Sequence, residues 1–201
     1  NLGIATAKYE SVIFCDQRQR LSETIIKKII EPLKYKDVGA VSGCISNIER
    51  DNHCSIIRRH ENSLKIKESR AGSLIGVYGP FYAIKKQYYT SIPENIILDD
   101  LYLSLKILKS KKVVLQDDCQ ISDECFFDLY DYKRTKRYLA GLLQILNDKS
   151  IIKELNLKHL TMLIWHKYLR LLIPISLFLS YITLGLYAIW EIEFQILFSF
   201  F

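Results

Sequence analysis

Cysteine and histidine are too few and too irregularly spaced in this chain to indicate a disulfide framework or a zinc site. The 201 residues include five cysteines and four histidines. No two cysteines form a Cys-x-x-Cys pair, and an odd number cannot all pair within one chain. Zinc sites also need closely spaced Cys and His ligands, and that spacing is missing. We therefore expect reduced thiols, as in a cytoplasmic domain.

Internal repeats, low-complexity linkers and concentrated charge of one sign are missing as well. The formal net charge is +6, but apart from Arg58, Arg59 and residues 133–137 the basic residues stand among acidic neighbours. Nucleic-acid-binding proteins concentrate basic residues in a patch or stripe. We therefore predict no nucleic-acid partner, because attraction to anionic lipid headgroups explains the positive excess equally well.

Long hydrophobic runs are rare, and one stretch is an exception. Residues 168–190 contain Arg170 as the single charged side chain and Pro174 as the single strong helix breaker. This is long enough to cross a bilayer, so a membrane helix after a soluble domain is predicted. A buried core helix is the alternative. The apolar run at residues 194–201 predicts the start of a second span.

The charges around this stretch predict its orientation. Basic residues precede it, at Lys158, His159, His166, Lys167 and Arg170. Glu191 and Glu193 follow it, and no Lys or Arg comes after them. By the positive-inside rule the preceding domain is then cytoplasmic. Because the chain begins at Asn1 rather than methionine, we also expect it to be the C-terminal part of a longer protein.

Alternating periodicities predict an α/β fold with a mainly parallel sheet. Short apolar runs predict strands at residues 11–15, 38–45, 81–84 and 112–116. Helical patterns lie between them at residues 22–33 and from residue 99. Residues 46–70 predict an exposed helix or an excursion over the sheet. A long amphipathic helix is predicted over 126–146, followed by an interfacial helix over 155–165. The predicted domains are residues 1–150 (catalytic), 151–167 (interfacial) and 168–201 (transmembrane).

Carboxylates mark the candidate site. Asp16 ends the first predicted strand, and open α/β sheets bind ligands at the carboxyl ends of strands. There it could hold Mg²⁺ or Mn²⁺, which favour one or two carboxylates together with phosphate oxygens. Asp99 and Asp100 begin a helix, so offsetting the helix dipole is an alternative role for them. Two further acidic pairs, at residues 117–118 and 123–124, are predicted in a solvated turn.

Glycine and arginine supply the other candidates. Gly72, Gly76 and Gly79 cluster where the backbone must turn or approach a ligand closely. Arg134 and Arg137 belong to a basic run that could neutralise phosphate charge, or could form an ordinary charged helix face.

The order of these features resembles the family 2 glycosyltransferases related to cellulose, chitin and hyaluronan synthases, which have the GT-A fold. The resemblance covers about residues 1–180. It rests on the segments VIFCDQRQRL, VGAVSG, ESRAGSLIGVYGPFYAIKK, IPENIILDDLYLSLKIL, RTKRYLAGLLQIL and WHKYLRLLIP, in that order.

The resemblance implies a role for each matching position. Asp16 matches the first acidic residue of the family's metal and diphosphate motif. Asp100 matches the acidic residue of the Thr-Glu-Asp type motif that takes the acceptor proton, and Asp99 supports it. Arg137 matches the arginine of Gln-x-x-Arg-Trp that faces the diphosphate, with Arg134 in the place of the glutamine.

The remaining matches concern the acceptor. Gly76, Gly79 and Tyr82 fall in the loop that lines the acceptor channel in the family. Tyr138 stands in the place of the tryptophan, where it could stack on a sugar or pack against a neighbouring helix. Two departures matter: Arg18 replaces the second acidic residue of the metal motif, and the altered Gln-x-x-Arg-Trp motif leaves processive synthesis open.

The implied function is a membrane-bound inverting glycosyltransferase that moves a sugar from a nucleotide-sugar donor, expected to be a UDP-sugar, to a polysaccharide or glycan acceptor. The resemblance implies an incomplete GT-A type sheet, because the first strand and helix of the family have no counterpart here. The alternatives are a non-catalytic membrane-attached relic and a transferase acting on a single lipid-linked acceptor.

Overall fold

The computed structural model of the protein describes residues 1–17, 19, 21–46, 52–122 and 129–199. Its strands are β1 (Ser11–Cys15), β2 (Val38–Ser46), β3 (Phe81–Lys85) and β4 (Lys112–Ser122). Its helices are α1 (Leu2–Thr6), α2 (Glu23–Ile30), α3 (Asn52–Arg70), α4 (Asp99–Leu108), α5 (Leu129–Asn147), α6 (Lys149–Glu154), α7 (Leu157–Leu163) and α8 (Ile173–Ser199). Short 3₁₀ segments lie at Glu31–Lys34, Lys86–Tyr88 and Leu169–Leu172, and a π-helical turn at Ile164–Tyr168.

The four strands form one sheet in the order β1-β3-β2-β4, with helices packed against it. This confirms the predicted α/β class. The predicted mainly parallel sheet is mixed, however: β2 and β4 are parallel, whereas β3 is antiparallel to both β1 and β2. The reason is the path of residues 73–80, which lead from Val113, near the start of β4, to Asp16, just after β1. Since β3 begins at that carboxyl edge, it has to run back.

The strand β4 is longer than predicted. Its pairing with β2 skips from Leu115 to Gln120, and Asp117 and Asp118 lie within this skip. They therefore belong to a strand irregularity and not to the predicted turn, because parallel pairing with β2 resumes beyond them. The Asp118 carboxylate is 3.7 Å from Nζ of Lys28 at the surface. Residues 123–124 lie outside the described residues.

The core forms between α2 and the sheet. The hydroxyl of Ser22 caps α2 by accepting from the amide of Ile25 at 3.3 Å, which starts the helix where the sequence predicts it. Ile29 is fully buried and packs in one cluster with Val41 and Phe81 of the sheet. Successive residues of a strand point to opposite faces. The polar Ser42, next to Val41, therefore faces the other side, where residues 73–80 lie.

Two compact units make up the chain, one covering Asn1–Leu160 and one beginning at Thr161. Within the second unit α8 contains Ile173–Glu191, the one helix of the described residues that is long and apolar enough to cross a membrane, with a mean hydropathy of 1.7. The helix begins at Ile173 rather than residue 168, because Leu169–Leu172 form a 3₁₀ segment. Pro174 is tolerated there, in the first turn of α8. The prediction that a second span starts at residue 194 is wrong for residues 194–199, because they continue α8.

Gly43 of β2 provides a test of this packing. A Cβ there would lie 2.5 Å from Cδ1 of Phe81 and 3.0 Å from the carbonyl oxygen of Cys119. We expect Gly43→Ala to lower the free energy of unfolding by about 1–3 kcal/mol, because β3 and β4 must both shift. Gly3 of α1, which has open space around it, is the control, and Gly3→Ala should change stability by less than about 1 kcal/mol. Equal stabilities of the two variants in denaturant unfolding would contradict this packing.

Candidate functional site

The carboxyl edge of the sheet brings Asp16 next to the glycine-rich segment. Cys15, the last residue of β1, pairs with Phe81, the first residue of β3. The amide of Asp16 then donates to the carbonyl of Pro80 at 3.0 Å. Asp16 is half-buried there. Its position relative to Pro80 is thus set by the β1–β3 ladder.

Asp100 reaches the same turn from the other side. A Cβ on Gly79 would lie 2.9 Å from Oδ2 of Asp100, so the glycine backbone contacts this carboxylate directly. The other oxygen, Oδ1, accepts from the amide of Leu101 at 2.7 Å. That bond also satisfies a free amide at the start of α4, as the helix-dipole alternative expects. Asp16 and Asp100 therefore flank the two-residue turn Gly79 and Pro80.

Residues 73–80 are irregular in conformation and mostly buried, and side chains from three surrounding elements hold their backbone. The amide of Tyr78 donates to the hydroxyl of Ser42 at 2.8 Å, that of Ile75 to Oε2 of Glu68 at 3.2 Å, and that of Val77 to the hydroxyl of Ser104 at 3.2 Å. The Ser104 hydroxyl donates in turn to the carbonyl of Asp100 at 2.7 Å. One serine thus links the segment to the residue that carries the carboxylate.

A buried lysine completes this scaffold. Lys65 of α3 is only 5% exposed, and its Nζ donates to the carbonyl of Gly76 at 2.5 Å. The same ammonium lies 4.2 Å from the centroid of the Tyr78 ring. Sequence reasoning missed Lys65 and Glu68, because Lys and Glu are almost never fully buried unless they are paired. Their spacing of three on one helix face was the available signal.

Tyr82, the second residue of β3, is buried within electrostatic reach of the acidic pair. It is 4% exposed, and its ring stacks on Phe14 with centroids 4.5 Å apart. Burial raises the pKa of Tyr82 well above its usual range, and the negative charges of Asp99 and Asp100 raise it further. The phenol therefore stays protonated and can donate a hydrogen bond. Gly76, in contrast, is buried against Leu101.

The helix α5 contacts the loop that precedes α4. Gly141 packs directly against Leu98. Arg137 lies one turn earlier on the same face of α5, and its side chain is exposed, as is that of Arg134. Tyr138 is half-buried. The structure thus brings Asp16, Gly79 and Asp100 together at one turn and places the helix of Arg137 against the loop that leads to Asp100.

Few side chains of the described residues could bind a metal ion at this site. Within the described parts of the chain, no group of three or more His, Cys, Asp or Glu side chains is arranged to hold a metal ion. Mg²⁺ and Mn²⁺ do not need such a cage when substrate phosphates supply the other ligands, and one or two carboxylates suffice. Asp16, half-buried at a strand end, fits this limited role. Arg18 lies outside the described residues.

The fold is similar to that of the mannosyltransferase PcManGT from Pyrobaculum calidifontis, solved in complex with GDP-Man and Mn²⁺. The TM-score is 0.60 at 19% identity, over 73% of this chain and 42% of that one. Glucosyl-3-phosphoglycerate synthase from Mycobacterium tuberculosis, solved with Mn²⁺ and uridine-diphosphate-glucose, has a TM-score of 0.40 at 16% identity, over 71% of this chain and 51% of that one. No protein-family model and no curated protein matches the chain.

The likeness to the mannosyltransferase concerns the fold. The mannosyltransferase shares the sheet with flanking helices that GT-A nucleotide-sugar glycosyltransferases have, which agrees with the fold expected from the sequence. The present chain spans about half, or less, of the length of either structure.

The raised pKa of Tyr82 predicts a specific dependence of stability on pH. The folded state holds the phenolic proton more tightly than the unfolded chain, so this contribution is complete below about pH 10 and is lost as the pH rises above it. We expect the free energy of unfolding to fall less steeply above about pH 10 in Tyr82→Phe than in the unmodified protein. Tyr35→Phe is the control, because Tyr35 is 67% exposed. Parallel alkaline unfolding curves for Tyr82→Phe and the unmodified protein would refute this.

Proposed function

We propose that the chain is the catalytic and membrane-proximal part of an inverting glycosyltransferase, which moves a sugar from a nucleotide-sugar donor to a hydroxyl of a glycan acceptor. One observation carries this proposal: at the carboxyl edge of the sheet the Asp100 carboxylate lies against Gly79, and the next residue, Pro80, accepts from the amide of Asp16. The fold shared with a mannosyltransferase solved with GDP-Man and Mn²⁺ supports it. A UDP-sugar is the donor we propose.

Asp100 is the proposed general base. In a single displacement the acceptor oxygen forms a bond to the anomeric carbon, the bond from that carbon to the diphosphate breaks, and configuration inverts. The acceptor proton passes to the Asp100 carboxylate as the new bond forms. Oδ1 is oriented by the amide of Leu101, and the missing side chain of Gly79 leaves room beside Oδ2. Asp99, exposed and adjacent, supports the negative field.

The leaving diphosphate needs positive charge. Asp16 would hold a divalent cation, which would offset the charge of the diphosphate. Arg137 is the proposed protein contact, because a guanidinium can donate to phosphate oxygens in a bidentate manner. Arg134, also exposed, extends the same basic helix.

Four residues are the proposed lining of the acceptor channel: Gly76, Gly79, Tyr82 and Tyr138. Gly79 faces the proposed base, and Tyr82 keeps its proton in the field of the acidic pair. Gly76 contacts the core, so we propose that it shapes the channel from behind. Tyr138 is half-buried on α5, which is compatible with stacking on a sugar or packing within the protein.

Membrane attachment through α8 is part of the proposal. Basic residues before the apolar stretch and Glu191 at its end support a cytoplasmic catalytic domain. We propose residues 1–150 as the catalytic domain, 151–167 as the interfacial part and 168–201 as the transmembrane region. Membership of family 2, with a role in polysaccharide biosynthesis, is the finer proposal.

Two rivals have an observation in their favour. Arg18 in place of an acidic metal ligand favours a non-catalytic relic, which would show no transfer with any donor. The departure from Gln-x-x-Arg-Trp at Arg134 and Tyr138 favours a single addition to a lipid-linked acceptor. The length of the product made from a radiolabelled donor separates single addition from polymer synthesis.

Replacing the proposed base tests the function directly. Asp100→Asn keeps the shape and the acceptor for the Leu101 amide but cannot take a proton. We expect transfer by the full-length protein in membranes to fall by about 10²- to 10⁴-fold while donor binding persists. Asp37→Asn is the matched control, because Asp37 lies at the opposite edge of the sheet, paired with Lys112 at the surface. Turnover retained in Asp100→Asn would contradict the role of Asp100 as the general base.

Gly79→Ala tests whether the position of the carboxylate matters. The added Cβ must push the short Asp100 side chain, which the Leu101 amide holds at Oδ1, away from its place. We expect transfer to fall by about 10- to 100-fold. Thermal stability should change little, because the contact is with a side-chain terminus. Activity within about twofold of the unmodified protein would contradict the proposed contact.

A further inference from the structure

Gln144 of α5 holds the loop that leads to the acidic pair. Its Oε1 accepts from the amide of Ile97 at 3.0 Å, and its Nε2 donates to the carbonyl of Asn95 at 2.7 Å. Both partners are backbone groups just before α4. A carboxamide suits this place because it donates and accepts at once.

The start of α4 depends on such outside support. Leu98 is its N-cap residue and makes no side-chain capping bond, whereas Ser, Asp or Asn at this position would fix the helix start by themselves. Leu98 instead packs on Gly141, where any Cβ would overlap it. The position of Asp99 and Asp100 is therefore set in part by α5.

The same face of α5 carries Arg137. Residues 137, 141 and 144 are spaced by four and three, which places them in one row along a helix. The exposed Arg137 comes first. One to two turns later Gly141 packs against the loop and Gln144 forms hydrogen bonds with it. One rigid helix thus connects the proposed diphosphate contact with the loop that presents the proposed base.

We infer that Gln144 is a positioning residue that, with Gly141, fixes Asp100 relative to Arg137. The inference rests on the proposed function. Gln144 touches neither the donor nor the reacting atoms and acts through the loop. Since a displacement of about 1 Å can cost on the order of 100-fold in rate, loosening this loop should lower turnover while leaving the groups that bind the donor in place.

The first test separates turnover from binding. Gln144→Leu keeps most of the volume and removes both hydrogen bonds. In the full-length protein in membranes we expect kcat to fall by about 10- to 100-fold, with the donor KM changed by less than about threefold. Asn147→Leu is the control, because Asn147 is an exposed amide at the end of the same helix, and it should stay within about twofold. A loss in Gln144→Leu no larger than in Asn147→Leu, or one confined to KM, overturns the inference.

A second variant gives a pH signature. Gln144→Glu retains an acceptor for the Ile97 amide, but its ionised form has no proton to donate to the Asn95 carbonyl. Protonation restores that donor, so the ratio of its kcat to that of the unmodified protein should rise as the pH falls from about 7 to about 4.5, close to the ordinary pKa of a glutamic acid. Taking the ratio removes the pH dependence that is common to both proteins. A ratio that is flat or falls over this range overturns the inference.

Hydrogen exchange tests the hydrogen bond between Gln144 and the loop without a measurement of activity. In Gln144→Leu the amide of Ile97 should exchange about tenfold faster or more, while that of Leu105, inside α4, is unchanged. Unchanged exchange at Ile97, or faster exchange with normal kcat, overturns the inference. The proposed function fails separately, through turnover in Asp100→Asn or absence of transfer in the unmodified protein, and in the latter case this inference falls with it.

Discussion

A stretch of irregular backbone buried away from water must find hydrogen-bond partners, and the arrangement of the candidate site depends on how residues 73–80 do so. Among the described residues, the buried polar or charged side chains all bond to this stretch or belong to it: Ser42, Lys65, Glu68, Ser73 and Ser104. An unpaired buried amide costs about 1–3 kcal/mol, so each partner restricts the path of the chain. The path ends at Gly79 and Pro80, between Asp100 and Asp16.

That restriction has an electrostatic consequence. Three carboxylates, Asp16, Asp99 and Asp100, are held near the carboxyl edge. Burial raises the pKa of Tyr82, and the charges of Asp99 and Asp100 raise it further. A diphosphate would add negative charge to this region. The proposed cation at Asp16 and the exposed Arg137 are the groups that could balance it, and both lie on elements that the fold holds against the same turn or its neighbouring loop.

The two units differ in how much of their apolar side chains is buried. The first unit buries its apolar side chains beneath α2 and around residues 73–80, as a water-soluble domain does. In the second, the side chains along Ile173–Glu191 are exposed although they are apolar. Water is a poor solvent for such a surface, which is the physical reason for proposing that lipid surrounds it.

Local chemistry determined much of this protein. Apolar β-branched runs located β1 and β2, Ser22 located the start of α2, and Asp99 located that of α4, because periodicity and capping act between residues close in sequence. Those same rules placed Asp16 at a strand end and the acidic pair at a helix start. The glycine cluster also predicted a segment where the backbone turns or approaches a neighbouring group closely.

Only the tertiary structure decided what meets what. The direction of β3 depends on the whole sheet. The other contacts join positions seven to 49 residues apart: the hydrogen bonds of the buried Lys65 and Glu68, the contact of Gly79 with Asp100, and the hydrogen bonds of Gln144 to residues 95 and 97. The type of a residue does not indicate which distant residue it will contact. Lys and Glu belong to the surface by type, and they enter the core here because buried backbone needs the hydrogen bonds that they provide.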